Sequence, residues 1–262
     1  MQSISEINLK TEQLKRQDNC EQHGTFDSVN YIGKIWSRCP QCATALAEMR
    51  KKQDEDAERE RQKKAWEYRL RRSCIPERFL DRTLKSFKAE TPEQQRALAF
   101  ANAYAEDFEN VMKTGRCALF VGAPGTGKTH LAAGIALRLM HRDKRVVLFT
   151  TVMRAIRSIK DTWTKGSETT ETQAIEALVY PELLILDEVG VQFGSETEKL
   201  MLFDVLNERY EKRKPCLLLS NLAIDDVKAF LGERVFDRLR EDGGEAVAFD
   251  WESYRGRKDA AA

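Results

Sequence analysis

From residue 74 onward, short unbroken apolar runs alternate with longer stretches in which apolar side chains recur every three or four residues. The runs RCALFVGA (116–123), RVVLFTT (145–151), ELLILDEVG (182–190) and PCLLLSNL (215–222) predict strands. An apolar run without polar alternation is the pattern of a strand covered on both faces. Helices are predicted for PEQQRALAFANAYAEDFENVM (92–112), residues 129–141, residues 152–163, TEKLMLFDVLNERYEKR (197–213) and DDVKAFLGERVFDRLR (225–240). The first of these has Pro92 in its first turn, where a missing N–H leaves no bond unmade. Strands and helices in this order predict an α/β fold on a doubly wound, mostly parallel sheet.

Residues 43–72 (ATALAEMRKKQDEDAERERQKKAWEYRLRR) follow another pattern. They lack Gly and Pro, favour helix by composition, and carry opposite charges that support each other at i, i+4. Their apolar positions are sparse: Leu46, Met49, Ala57, Ala65 and Trp66. Such a stretch reads as a solvated helical linker, with a partner-binding helix as the other reading.

Composition narrows the function classes. The 262 residues carry 43 Lys/Arg against 42 Asp/Glu, a formal net charge of +1. There is no chain-wide basic field, so nucleic acid can be met only by a local patch. No run approaches the roughly 20 apolar residues of a membrane helix. The start, MQSISEINLKTEQ, lacks the basic and apolar regions of a secretory signal. Six cysteines in such a chain point to reduced thiols and metal ligation before a disulfide scaffold. The expectation is a soluble cytoplasmic protein without membrane contact.

Gly122-Ala123-Pro124-Gly125-Thr126-Gly127-Lys128-Thr129 fits G-x-x-x-x-G-K-[ST] between a predicted strand and a predicted helix. Glycines let the backbone wrap a phosphate chain, so that its N–H groups and the helix N-terminus face the anion. Lys128 is expected to reach the β/γ-phosphates of ATP, and the Thr129 hydroxyl to ligate Mg²⁺. Asp187 and Glu188 end the apolar run 183–186. An acid at that strand tip can hold the Mg²⁺ shell, and the acid after it can polarise the attacking water. Asn221 ends another run, where an amide can orient that water. Arg234 and Arg238 share a helix face. That face reads either as solvated surface or as an arginine offered to a neighbouring subunit's nucleotide.

In this order, GAPGTGKT, LLILDE, the strand-end Asn221 and GERVFDRLR resemble the AAA+ ATPases. More narrowly, they resemble the DnaC/DnaI helicase loaders and the related IstB transposition ATPases. IPERF (75–79), LLILDEVGVQ (183–192), FLGERVFDRLR (230–240) and FDWESYR (249–255) pull toward the loaders, over residues 73–256 in all. The resemblance implies an ATP-bound state that engages single-stranded DNA and a DnaB-like replicative helicase hexamer, with hydrolysis tied to release. It places the P-loop lysine at Lys128, the metal hydroxyl at Thr129, the Walker-B pair at Asp187 and Glu188, and sensor 1 at Asn221. The arginine finger falls on Arg238, with self-association into a spiral through it, and the sensor-2 arginine on Arg255. MRAIRSIKDTW (153–163) matches the segment that these proteins lay against DNA. There Arg154, Arg157, Lys160 and Lys165 would meet phosphates, or else form the solvated face of an amphipathic helix.

Cys20-x2-His23 and Cys39-x2-Cys42 give four soft ligands in two close pairs, the donor set of tetrahedral Zn²⁺. A segment this small has little core, so the metal would supply much of its folding energy. Redox-active CPQC is the other reading, without the βαβ context such motifs have. Cys74, Cys117 and Cys216 read as packing residues. In DnaI-like loaders such a module grips the helicase, which makes Tyr31, Ile35 and Trp36 candidates either for that contact or for a mini-core around the metal.

Three parts follow: a zinc-binding, helicase-interacting domain at 1–45, a charged helical linker at 46–72, and an AAA+ ATPase domain at 73–262 with a truncated C-terminal lid. The expected function is ATP-dependent loading of the replicative helicase onto single-stranded DNA. The alternative is an IstB-like transposition helper on duplex DNA. A small-molecule P-loop kinase, which has no use for Glu188 beside Asp187, and a nucleotide-gated adaptor that hardly hydrolyses complete the set.

Overall fold

A computed structural model describes residues 14–30, 35–190 and 195–255; Tyr31 lies outside them. The chain divides into two compact units, Met1–Ala65 and Trp66–Ala262.

In the first unit, β1 (Lys15–Cys20) and β2 (Gly24–Val29) form an antiparallel hairpin with Cys20 opposite Gly24. KRQDNC and GTFDSV have no apolar stripe to bury, so polar bonds hold the hairpin instead. The buried Ser28 hydroxyl donates to Ser37 O at 2.9 Å, and the Val29 N–H donates to Ser37 Oγ at 2.9 Å. Trp36 lies under the Arg16 guanidinium, 4.2 Å from ring centre to Cζ, while Ile35 is exposed.

Helix α1 (Pro40–Ser73) then begins with proline in its first turn. Its side chains at 47–65 are all exposed and carry pairs such as Lys51–Glu55 and Glu60–Lys64. Exposed pairs of this kind support a helix only weakly, in keeping with the solvated reading of this stretch. Cys74 follows the helix in the left-handed region (φ +54°) and is exposed, so it does not pack as expected.

The second unit contains α2 (Pro92–Glu106), α3 (Phe108–Thr114), β3 (Ala118–Gly122), α4 (Lys128–Arg142), β4 (Val147–Thr151), α5 (Val152–Lys160), α6 (Glu171–Val179), β5 (Leu183–Asp187), α7 (Glu196–Glu211), β6 (Cys216–Ser220), α8 (Ile224–Leu231), α9 (Glu233–Arg240) and β7 (Glu245–Phe249). The five strands form one sheet in the order β4-β5-β6-β3-β7, every neighbour parallel. Phe120, Ile185 and Leu219 face a core shared with α2, α3 and α4. The intervening Leu119, Leu184 and Leu218 face a second core with α5, α6, α7 and α9. Both faces are covered, which is why the runs carry no polar alternation.

The stretch 225–240, expected as one helix, is two. Gly232 separates α8 from α9 at φ +80°, ψ 153°, a conformation open to essentially glycine alone. The stretch 92–112 likewise breaks at Asp107 (φ −91°, ψ 21°). The unforeseen α6 opens with a capping box from Thr170 to Gln173. At the end of the sheet opposite Gly122, Arg209 of α7 is fully buried. It donates to the carbonyls of Leu178, Val179, Pro181 and Pro215 at 2.7–3.1 Å and to Cys216 Sγ at 3.2 Å. A guanidinium is tolerated inside only when its donors are matched in this way. Cys216 in turn donates its N–H to Cys117 Sγ at 3.3 Å. Among the described residues no helix is long and apolar enough to cross a membrane.

Candidate nucleotide and metal sites

The sheet order puts β3 between β6 and β7, while the chain leaves β3 for the far edge at β4. Such a reversal opens a crevice at the carboxyl ends of the strands. There a cavity of about 280 Å³ is lined by Lys128, Thr129, Asp187, Glu188, Asn221 and Arg255. Pro124, Gly125 and Gly127 also border it, as do Arg78, Phe79 and His130. The lining side chains come from the loop after β3, the first turn of α4, the tips of β5 and β6, the segment before α2, and the residues after β7.

Lys128 is buried, and its Nζ donates to Gly122 O at 2.7 Å and Ala123 O at 2.8 Å. Burial pushes its pKa down to about 8; Asp187 opposes the shift and Arg255 adds to it. Thr129 Oγ1 donates to Asp187 Oδ2 at 3.2 Å, so hydroxyl and carboxylate already stand together. Burial raises the Asp187 pKa, against the opposing pull of the Glu188 N–H, Thr129 and Lys128. A carboxylate held in this way gains from a cation shared with the hydroxyl, so the pair fits Mg²⁺. Glu188 is exposed and sits at φ +62°, a strained backbone for a non-glycine residue. Its N–H donates to Asp187 Oδ1 at 2.8 Å, which fixes both acids at the tip of β5. Ser220, fully buried, donates to Val189 O at 2.6 Å and accepts from the Leu222 N–H at 3.1 Å, bracing the turn that carries Asn221.

Arg238 does not line this cavity. It donates to Asn207 Oδ1, and its guanidinium lies 4.6 Å from the Tyr210 ring centre. Arg234, one turn earlier, is exposed over Phe203. Arg154 and Arg157 are exposed on α5, whereas Lys160 is ion-paired to Glu198 at 2.5 Å. Lys165 is exposed, as is Trp163, whose indole N–H donates to Glu171 at 2.6 Å.

In the first unit, ligand atoms of Cys20, His23, Cys39 and Cys42 all lie within 4.8 Å of one another. Cys20 ends β1, His23 sits in the hairpin turn, and the other two flank the start of α1. Sγ of Cys20 is 3.5 Å from Sγ of Cys42, and His23 Nδ1 is 3.2–3.6 Å from all three sulfurs. Ligands at zinc–sulfur and zinc–nitrogen bond lengths in a tetrahedron stand about 3.6–3.8 Å apart, so the donor set fits Zn²⁺.

Lys128, Thr129, Asp187, Glu188, Asn221 and Arg255 are thus brought together, and the four zinc candidates form a separate cluster. The sequence reading passed over Arg78, Phe79 and His130. IPERF and the residue after Thr129 were in view, but neither has a spacing that announces a pocket wall. His130 is anchored by Thr83 O at 2.9 Å, and burial lowers its pKa.

The family model for IstB-like ATP binding proteins matches residues 47–262. The replicative helicase loader DnaC of Escherichia coli (strain K12) is 34% identical over 200 residues, 76% of this chain and 80% of that protein. A crystal structure of the DnaC helicase loader aligns with a TM-score of 0.59 at 22% identity, covering 66% of this chain and 99% of that one. A crystal structure of DnaI aligns at 0.58 with 20% identity, covering 70% and 95%. At these identities the structural likeness establishes the fold, an α/β unit on a parallel five-stranded sheet.

Proposed function

We propose that this chain, which belongs to the IstB-like ATP-binding protein family, is an ATP-dependent loader of a replicative DNA helicase onto single-stranded DNA during initiation or restart of replication. One observation carries the reading: Lys128, Thr129, Asp187, Glu188, Asn221 and Arg255, from four segments of the chain, line one cavity in a chain about a third identical to a replicative helicase loader.

ATP enters with its phosphates on the loop 122–127 and the N-terminus of α4. Lys128 turns from its two carbonyls to the β/γ-phosphates, while Thr129 and Asp187 would hold Mg²⁺, which when bound would neutralise phosphate charge. Glu188 accepts a proton from the attacking water, and Asn221 orients that water. Arg255 meets the γ-phosphate from the strand-end side. The arginine finger comes in trans: Arg238, with Arg234 on the same face of α9, serves the cavity of the next copy in a spiral. Hydrolysis is therefore slow in an isolated copy.

Residues 1–45 are the helicase-gripping domain, folded around Zn²⁺ on Cys20, His23, Cys39 and Cys42. Residues 46–72 are the linker, and 73–262 the ATPase. Single-stranded DNA lies along α5, with Arg154 and Arg157 on its phosphates and Trp163 as a stacking face for a base. Lys160, paired to Glu198, adds a partly neutralised charge to this field. The protein acts in the cytoplasm.

Native mass spectrometry of the protein mixed with its host's replicative helicase, ATP and zinc tests the reading. A helicase hexamer carrying several copies, lost on zinc removal, is the expected spectrum. Absence of that complex together with ATP-dependent filaments on duplex DNA would transfer the protein to the transposition ATPases.

A further inference from the structure

Beyond β7 the chain runs straight into the phosphate loop. Phe249 is fully buried and its ring lies tilted against Phe120 and Trp251, with ring centres 5.0 and 4.9 Å away. Gly122 passes so close that a Cβ there would lie 2.3 Å from Phe249 O. The next residues cross the outside of the loop. The Trp251 indole N–H donates to Thr126 O at 2.9 Å, and the Tyr254 backbone N–H donates to Gly125 O at 3.0 Å. The Tyr254 hydroxyl fastens the far end to Lys88 O at 3.0 Å. A Cβ on Gly125 would stand 2.0 Å from Ser253 Oγ, which would have to turn away, and the residue sits at φ +80°, a backbone that favours glycine.

In a planar trans peptide the C=O and the following N–H point in opposite directions. Donors that hold the carbonyls of Gly125 and Thr126 outward therefore aim the N–H groups of Thr126 and Gly127 the other way. We propose that the strap Trp251–Arg255 is a positioning element for nucleotide: Trp251 and Tyr254 set the Gly125 and Thr126 peptides from outside the loop, so that two amides stand ready for phosphate and Arg255 is delivered with them. This proposal rests on the ATP-binding reading and assigns Trp251 and Tyr254 a part in it.

Trp251→Phe keeps the ring against Phe249 and deletes only the indole donor. Equilibrium titration with fluorescent ATP and ADP analogues should show both affinities weakened by the same factor, about 3- to 10-fold, the worth of one hydrogen bond. Arg255→Ala should instead weaken ATP more than ADP. Wild-type affinity for both nucleotides in a Trp251→Phe protein of unchanged thermal midpoint would overturn the proposal. A second measurement needs no variant that could misfold: amide hydrogen exchange of Tyr254 in the wild-type protein should slow several-fold when an ATP analogue saturates the site. An unchanged rate, with nucleotide bound, also overturns it. Failure of the wild-type protein to bind either nucleotide would strike the ATP reading itself, not the strap.

Discussion

Lys128 shows how one residue joins burial to function. Its amine is held near pH 8 by desolvation in a site built for anions. A phosphate at Nζ favours the charged form, so above about pH 8 binding takes up a proton. ATP affinity should be flat below that pH and fall as pH rises toward 9.5, by at most tenfold per unit. Isothermal titration in buffers of differing ionisation heat checks both the affinity and the proton uptake; a flat profile with no uptake would mean the amine is already charged throughout. The folding sign is related. Between pH 8 and the ordinary lysine value of 10.5 the unfolded chain binds more protons at this residue, so Lys128 makes the nucleotide-free protein more stable as pH rises through that window. At the same scale, Arg238→Ala should remove DNA-stimulated hydrolysis and leave ATP binding within twofold. Lost binding would show that Arg238 supports its own chain through Asn207 and Tyr210 and is not a finger.

Among the elements, legibility in the sequence followed the strength of the local constraint. β3, β4, β5 and β6 were readable because burial on both faces leaves polar residues only toward their carboxyl ends. β7 was not, because EAVAF keeps an exposed residue at every point but its centre and its end. The hairpin of β1 and β2 was equally hidden: its strands are polar, and the clue lay in the Cys and His spacing rather than in any strand pattern. Lys128, Asp187 and their companions were legible by type and order. That Arg255 reaches the cavity on a short strap was not, since reach depends on where β7 lies in the sheet. The break between α8 and α9 was readable in principle, from Gly232 within an otherwise helical stretch. A Cβ at Gly232 meets nothing within 4 Å, so Gly232→Ala isolates the backbone cost. Urea denaturation should find the variant about 1–3 kcal/mol less stable. No loss would mean the two helices can merge into one.

For the whole molecule, the proposed zinc site in the hairpin unit and the two apolar cores of the sheet unit are separate sources of stability. Chelation should therefore melt the first unit alone. Circular dichroism and nucleotide titration after zinc removal should show ATP affinity within twofold of the untreated protein, and Cys39→Ser should behave likewise. A large fall in affinity would show that the units are thermodynamically coupled. Buried Cys216, beside the half-buried Cys117 at the foot of the sheet, adds an internal clock. Cys74 is open to a thiol reagent at once, while Cys216, covered beside Cys117 and Arg209, reacts only when β3 and β6 part. Followed thiol by thiol in a peptide map, which separates the half-buried Cys20, Cys42 and Cys117, the lag between Cys74 and Cys216 times the opening of the sheet core in a chain of natural sequence.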